Sequence, residues 1–240
     1  MKNIIVTGAN RGIGKEIARQ LVERGHKVIA CVRSKEKGIA ALDGICDPED
    51  IWEVELSDSD SVRNLAEGIS KNYSQIDVLI NNAGVISKPT SIVNSTDEEE
   101  VFQSNFFGPW RMVKAFYPML RKAGAARIIN MSSGMGSHED LKIGSYAAYR
   151  LSKAALNDFT IQLASELSAD GIAVNAMCPG WVKTDMGGSA APVPSSSAAL
   201  RTKVRGLVSE RCIGGACSRD MWRGVRCAAR QRSQRCAASV

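Results

Sequence analysis

The chain has 240 residues, of which 44% are apolar and 23% are charged. This composition is sufficient for one domain with a sizeable core, and it excludes a disordered, collagen-like or disulfide-scaffold protein. No apolar run approaches the roughly 20 residues that a bilayer span requires, and the apolar start over Met1–Gly8 is too short for a signal peptide. We therefore expect a cytoplasmic protein with no membrane partner.

The net charge of +6 is distributed unevenly along the chain. From Ala191 to Val240 there are ten basic and two acidic residues, and four of the seven cysteines lie in the same stretch. Residues 1–190 are slightly acidic. The sequence therefore predicts one domain over 1–190, followed by an irregular tail over 191–240 that is rich in arginine and cysteine.

Apolar runs and helical periodicities alternate along the first 190 residues. The predicted strands are Asn3–Val6, Lys27–Val32, Ile51–Leu56, Asp77–Ile80, Arg127–Met131 and Ile172–Ala176. The predicted helices follow the turn after the first strand, begin near Ser61, and run over 101–121 and 148–168. Six nearly continuous apolar strands separated by helices predict an α/β fold, a Rossmann-like doubly wound parallel sheet with helices on both faces.

This alternation stops after Thr184. A loop is predicted over 187–197 and a short amphipathic turn over 200–208, and no pattern for a seventh strand follows. A change of reading frame or an altered splice would produce such an abrupt rise in arginine and cysteine. The cysteine spacing does not match a zinc finger, and arginines without interleaved aromatic residues give little support for nucleic-acid binding, so we predict neither a metal site nor a nucleic-acid partner.

The turn after the first strand contains a Thr-Gly-x-x-x-Gly-x-Gly run over residues 7–14. In a doubly wound sheet the ligand binds beyond the carboxyl ends of the strands, where backbone N–H groups and a helix N-terminus can meet a pyrophosphate. Glycine permits the tight turn and the close approach of backbone to phosphate. The turn predicts a dinucleotide site lined by Gly8, Asn10, Arg11, Gly12, Ile13 and Gly14.

The spacing of this turn resembles that of the short-chain dehydrogenase/reductases, and further motifs follow in that family's order. They are Asn81-Asn82-Ala83-Gly84 after the fourth strand, Asn105-x-x-Gly108, Ser133, Tyr149-x-x-x-Lys153, and Pro179-Gly180 with Thr184 shortly after. The resemblance extends from residue 3 to about residue 188. It implies an oxidoreductase that transfers a hydride between a nicotinamide cofactor and a small carbonyl or alcohol substrate, and a homodimer that pairs the helices carrying Asn105 and Tyr149.

The charges after the second strand predict which cofactor binds. An acidic residue there favours NAD, whereas the 2′-phosphate of NADP needs a cation. Arg33 occupies this place, and Arg11 adds a second guanidinium that can bind a phosphate bidentately. The alternative is that Arg33 lies in a solvated loop without a ligand, but we predict NADP over NAD.

By resemblance the further cofactor contacts are Glu55, Leu56, Asn82, Ala83, Gly84, Tyr149, Lys153, Pro179, Gly180, Val182 and Thr184. Glu55 stands where the family commonly has aspartate.

Hydride delivery to a carbonyl builds negative charge on its oxygen, so the site needs a proton donor and a hydrogen bond to that oxygen. A free phenol, with a pKa of about 10, is a poor acid or base at neutral pH. Lys153 lies one helical turn after Tyr149, and we expect its charge to depress the phenol pKa. By resemblance Tyr149 is the acid/base, Ser133 rather than Ser132 binds the reacting oxygen, and Asn105 completes a relay through Lys153.

Two other functions fit parts of the sequence. A nucleotide-binding protein without enzymatic activity would result if the altered C-terminal region removed substrate capture. A Ser-His-Asp hydrolase would require His138 to meet an acidic partner.

Overall fold

A central sheet of six parallel strands organises the computed structural model of the chain, which describes residues 1–138 and 144–201. The strands are β1 Asn3–Thr7, β2 Lys27–Val32, β3 Ile51–Glu53, β4 Val78–Asn81, β5 Arg127–Met131 and β6 Ala173–Met177. Their order across the sheet is β3-β2-β1-β4-β5-β6. The predicted doubly wound parallel sheet is therefore confirmed, and the direction of winding reverses between β1 and β4, where such sheets bind ligands.

Helices cover both faces of this sheet. They are α1 Gly12–Val22, α2 Lys35–Ala41, α3 Ser59–Asn72, α4 Glu98–Phe102, α5 Gly108–Lys122, α6 Ala147–Glu166 and α7 Ser195–Arg201. Along β1, Ile4 packs in a cluster with α1, and the next residue, Ile5, packs in a second cluster with α3 and α5. Because successive side chains enter opposite layers, most positions of each strand are apolar. No helix in the described part of the chain is long and apolar enough to span a membrane.

Helix α2 is not predicted by the sequence, because its seven residues include glycine, which has low helix propensity. The Ser34 side chain caps the helix by accepting a hydrogen bond from Lys37 N. Gly38 lies so close to β2 that an added Cβ would be 2.7 Å from Val32 Cγ2. Helix α2, which begins at Lys35, is therefore stabilised by its cap and by packing against the sheet rather than by helix propensity.

The helix predicted over 101–121 is divided into three segments. Helix α4 is followed by a π-helical turn over Gln103–Phe107, and α5 then begins at Gly108. Asn105, in the π-helical turn, is completely buried. A Cβ added to Gly108 would lie 3.1 Å from Leu56 Cβ, so α5 begins in close contact with the segment that follows β3.

The packed structure continues past the predicted boundary at residue 190. Two short strands, β7 Val182–Lys183 and β8 Val193–Pro194, pair in parallel, and α7 follows them. Gln20 Nε2 of α1 donates to Ser196 O at 3.2 Å, and Ala198 is completely buried. The loop predicted over 187–197 is therefore wrong from Val193 onward, because α7 packs against α1. The irregular tail predicted beyond this helix falls on 202–240, outside the described residues.

Strand β6 lies at one edge of the central sheet as the described residues form it. Its Asn175 is exposed, whereas Ile129, its partner on β5, is buried. The prediction that a seventh strand is missing or altered concerns residues after 201, which lie outside the described part of the chain.

Candidate active site

Gly8, Gly12 and Gly14 lie where the chain passes from β1 into α1, and we call them the glycine cradle. Side chains at these positions would contact neighbouring atoms closely. A Cβ added to Gly14 would lie 2.3 Å from Gly8 O and 2.4 Å from Asn82 Nδ2. Gly8 and Gly12 have φ values of +66° and +54°, in the left-handed region that favours glycine. The loop therefore exposes its backbone at the N-terminus of α1, where N–H groups and the helix dipole attract anions.

Thr7 and Asn82 join the carboxyl ends of β1 and β4 beside this cradle. Thr7 Oγ1 accepts hydrogen bonds from the backbone nitrogens of Asn82 and Ala83, both at 3.0 Å. Asn82 Nδ2 in turn donates to Thr7 O at 2.9 Å. Thr7 is not among the predicted site residues, because the role of its hydroxyl depends on a strand that is distant along the chain.

A cavity of about 740 Å³ opens beyond the carboxyl ends of the strands, a volume typical of small-molecule sites. The predicted residues that line it are Gly8, Asn10, Arg11, Gly12, Ile13, Gly14, Arg33, Glu55, Leu56, Asn82, Ala83, Gly84, Tyr149, Lys153, Pro179 and Thr184. Lining residues that the sequence analysis missed include Thr7, Ser57, Val85, Asp97, Ser132, Asp185 and Met186. The glycine cradle and the Tyr149–Lys153 pair thus belong to one continuous site.

Tyr149 and Lys153 occupy the first two turns of α6 and are almost completely buried, at 8% and 5% exposure. Lys153 Nζ lies 5.7 Å from the centroid of the Tyr149 ring and donates to Met131 O, at the end of β5, at 2.9 Å. A hydrogen bond joins the side chains of Ser133 and Tyr149. Strand β5 and helix α6 therefore position a phenol, a hydroxyl and an ammonium group close together.

Burial dominates the ionisation of this pair. It raises the pKa of the Tyr149 phenol, and the hydrogen bond with Ser133 offsets the increase only in part. Burial also lowers the pKa of Lys153 to about 8. The expectation that Lys153 depresses the pKa of Tyr149 is wrong in this structure, because loss of water disfavours the charged form of both groups and the ammonium donates to Met131 O.

The two adjacent serines have different partners. Ser132 is buried and donates to Asn157 Oδ1 at 2.6 Å, so it joins β5 to α6. Ser133 Oγ accepts from Met135 N at 3.2 Å and is hydrogen-bonded to Tyr149. Ser132 borders the cavity and Ser133 does not, but Ser133 is the serine that is hydrogen-bonded to the phenol.

Asn105 lies behind the cavity wall. Its Oδ1 accepts from Val85 N at 2.8 Å, and its Nδ2 donates to Val85 O at 2.9 Å and Ser152 Oγ at 3.0 Å. Gly84 separates it from Lys153, since a Cβ added to Gly84 would lie 3.0 Å from Asn105 Oδ1 and 3.4 Å from Lys153 Nζ. These bonds hold the segment after β4 against α6. The relay through Lys153 stays a prediction.

The two cations predicted to bind phosphate have different surroundings. Arg11 Nη1 pairs with Asp185 Oδ2 across the cleft at 2.9 Å. The Arg33 guanidinium has no hydrogen bond or ion pair with any residue in 1–138 or 144–201. Hydrogen bonds from Ser57, followed by the charge of Arg33, hold the pKa of Glu55 below its usual range. Arg33 therefore adds positive charge beside Glu55 at the end of β2.

Two of the predicted cofactor contacts lie off the cavity wall. Val182 is buried and pairs with Val193, and Gly180, with a φ of +83°, turns the chain between β6 and β7. Thr184 does line the cavity, and its Oγ1 accepts a hydrogen bond from Gly187 N at 3.0 Å. Gly180 and Val182 thus shape the segment that carries Thr184.

His138 meets an acidic partner, but away from the cleft. Its Nε2 lies 3.6 Å from Asp158 Oδ1, and both side chains are more than half exposed. Neither residue lines the cavity. This pair gives no support to a hydrolase site at the cleft.

Comparisons with known proteins identify a family for this fold. Residues 2–193 match the family model for short chain dehydrogenases. (+)-Neomenthol dehydrogenase from Arabidopsis thaliana is 31% identical over 248 residues, with coverage of 76% of this chain and 83% of the relative. The NADPH-bound carbonyl reductase from chicken fatty liver aligns with a TM-score of 0.76 and 32% identity, covering 86% of this chain and 91% of that one. The carbonyl reductase Sniffer of D. melanogaster aligns with a TM-score of 0.73 and 33% identity, covering 83% and 88%.

Proposed function

The chain belongs to the short-chain dehydrogenase family, and on this basis we propose that it is an NADP-dependent enzyme that transfers a hydride between the nicotinamide and a small carbonyl or alcohol substrate. The observation that carries the proposal is the position of Tyr149 and Lys153 on the wall of the cavity that begins at the glycine cradle. Similarity to a carbonyl reductase that binds NADPH supports the same assignment.

Bound NADPH would supply the hydride that adds to the carbonyl carbon. The proton that the carbonyl oxygen then needs resides on Tyr149, whose raised pKa keeps the phenol protonated at neutral pH. In this proposal Ser133, hydrogen-bonded to that phenol, would donate a second hydrogen bond to the same oxygen and stabilise the charge that develops there. In alcohol oxidation the proton moves in the opposite direction, from the substrate hydroxyl to the phenolic oxygen.

Lys153 supplies a positive charge beside this proton transfer. With a pKa of about 8 its ammonium group is still mainly protonated at neutral pH. A buried cation favours the negative charge that develops on the substrate oxygen more strongly than a solvated cation would. Asn105 supports the reaction indirectly, because it fixes the segment at Val85 and the helix at Ser152.

The residues present fit a phosphorylated dinucleotide. Gly8, Gly12 and Gly14 lie on the cavity wall at the start of α1, where the helix N-terminus would bind a pyrophosphate. Arg33 and Arg11 would bind the 2′-phosphate. The remaining wall of the proposed cofactor site consists of Asn10, Ile13, Glu55, Leu56, Asn82, Ala83, Gly84, Pro179 and Thr184.

The function is tested by incubating the full-length protein with NADPH and a panel of aldehydes, ketones and quinones while the loss of NADPH absorbance is followed. We expect turnover of at least one compound, and a melting temperature that NADPH raises more than NADH does. Nucleotide binding without any turnover would instead support the non-enzymatic alternative.

Replacing Arg33 by alanine tests the choice of cofactor. We expect the Kd for NADPH to rise about 10- to 100-fold, because a charged hydrogen bond to phosphate contributes roughly 1.5–3 kcal/mol, whereas the Kd for NADH stays within about twofold. Fluorescence titration measures both constants. R63A is the matched control, since Arg63 pairs with Asp60 on the surface of α3. An equal loss for both nucleotides would contradict the assignment.

We also propose that the enzyme forms a homodimer through an aromatic face on α4, α5 and α6. Phe106 makes edge contacts with Phe102, Phe107, Trp110 and Phe159. Trp110 is 43% exposed, and Leu151 and Ile161 on α6 are each 40% exposed. Burial of such apolar surface favours association.

Trp110→Glu should shift this dimer to a monomer in sedimentation velocity, because a charge buried at an interface without a partner is costly. Trp181→Glu is the control, since Trp181 is also exposed but lies beside β7. If wild type is a monomer, or if both variants retain the oligomer, the aromatic face is not the interface.

A further inference from the structure

Helix α6 begins from a backbone conformation that most side chains disfavour. Ser145 and Tyr146, the last two residues before the helix, have φ values of +77° and +54°. In this left-handed region non-glycine residues are uncommon, and bulky ones are rare. Tyr146 also lacks a capping hydrogen bond from its side chain. The helix that carries Tyr149 and Lys153 therefore starts at a strained turn without the usual N-cap.

Arg150 is bonded to both residues of this turn. Its side chain is only 9% exposed, which is unusual for arginine. Its Nε donates to Ser145 O at 2.9 Å, and its backbone nitrogen donates to Tyr146 O at 2.9 Å. The guanidinium thus connects the end of the first turn of α6 back to Ser145, two residues before the helix begins.

The hydrogen bonds that join the first turn of α6 to the segment after β4 are longer. Ala147 N donates to Thr90 O at 3.4 Å, and Tyr149 N donates to Ser87 Oγ at 3.3 Å. Both distances exceed the usual 2.7–3.2 Å of N–H···O hydrogen bonds. The bond from Arg150 Nε to Ser145 O, at 2.9 Å, is therefore shorter than either hydrogen bond that holds the first turn to the segment after β4.

We propose that Arg150 is a positioning residue for Tyr149, holding the Ser145–Tyr146 turn so that the first turn of α6 keeps the phenol in place. The consequence for turnover rests on the proposed function, but the bracing itself does not. Arg150 acts through the backbone, since burial, Ser133 and Cys178 account for the ionisation of Tyr149. No chemical step is assigned to the guanidinium.

The first test is backbone hydrogen exchange of the full-length protein over residues 144–150. In R150M, a variant that keeps the bulk but loses the donor, the amides of Ala147 and Tyr149 should exchange about tenfold faster than in wild type, because the first turn opens more often. R121M is the control, because Arg121 pairs with Asp170 at the far end of α5, and it should leave these amides unchanged. Unchanged exchange in R150M would overturn the proposal, whether or not the protein has enzymatic activity.

The second test is rescue. R150M should lower kcat about tenfold, since a small misplacement of a reacting group is costly, while the Kd for NADPH stays the same. Glycine adopts positive φ without strain. The kcat of S145G/R150M should therefore be about threefold higher than that of R150M, whereas S145G alone should change kcat little. R150K retains a donor and should lose less than R150M. If R150M does not fold, R150K and its S145G double variant decide the question in the same way.

The outcomes separate the two proposals. If wild type turns over no carbonyl compound, the proposed function fails, and the exchange experiment still decides the role of Arg150. If wild type is active and R150M loses kcat without rescue by S145G, Arg150 does not act through the strained turn and the positioning proposal fails.

Discussion

Tyr149→Phe is expected to lower kcat for carbonyl reduction by at least 100-fold, because the variant removes the only atom of this side chain that can give a proton to the substrate oxygen. General acid catalysis typically contributes 10²- to 10⁴-fold. The Kd for NADPH should change little, because the glycine cradle, Arg11 and Arg33 remain intact. Steady-state kinetics and fluorescence titration on the same preparation give both quantities.

Tyr117→Phe is the matched control for the loss of a phenolic hydroxyl. Its oxygen donates to Asp170 at 2.7 Å and has no contact with the cavity, so kcat should stay at the wild-type value. Substantial turnover in Y149F would assign the proton to another group. Loss of NADPH binding in Y149F would mean that the phenol is mainly a cofactor contact.

Lys153→Met is expected to abolish activity while making the protein more stable. The ammonium is buried, and burial lowers its pKa from 10.5 to about 8, which corresponds to roughly 3 kcal/mol of destabilisation at neutral pH. Methionine removes this cost but leaves Met131 O without its donor, so we expect a net gain of about 1–2 kcal/mol in the free energy of unfolding. kcat should fall about 100-fold or more.

The stability difference between K153M and wild type should depend on pH. A folded-state pKa below the unfolded one means that the unfolded chain binds more protons between pH 8 and 10.5, so wild-type stability rises across that window relative to K153M. The advantage of K153M should therefore be largest below about pH 8 and disappear towards pH 10.5. Urea unfolding at several pH values measures it. A K153M variant that is less stable than wild type at neutral pH would show that the Nζ–Met131 bond outweighs the cost of burial.

The fold and most of the site could be predicted from the sequence because their signals are local. Runs such as Lys27–Val32 and Arg127–Met131 coincide with β2 and β5, since strands buried on both faces are mostly apolar. The glycines and the Tyr149–Lys153 pair have fixed spacings, and the structure brings both to one cavity. Ser133 was predicted only from the resemblance to a family, because its hydrogen bond to Tyr149 joins the end of β5 to α6.

The features that could not be predicted depend on distant contacts. Helix α2 exists because Gly38 fits against Val32, and α7 because it packs against α1. The pKa shift of Tyr149 has the opposite sign to that expected, because proximity to Lys153 is visible in the sequence whereas burial is not. The pairing of Arg11 with Asp185 joins positions on opposite sides of the cleft, and no local pattern indicates it.

The π-helical turn at Gln103–Phe107 links two parts of the molecule that otherwise have separate roles. A π-helical turn corresponds to one residue inserted into an α-helix, and one residue rotates all later side chains by about 100° around the axis. Asn105 precedes the end of this insertion and faces the interior, whereas Trp110 follows it on the aromatic face. Deleting a single residue here would restore a regular helix but turn Trp110 away from its present direction relative to Asn105. The length of this segment is therefore constrained both by the interior contacts of Asn105 and by the aromatic face at Trp110. An insertion or deletion that suited one of them would rotate the other out of place.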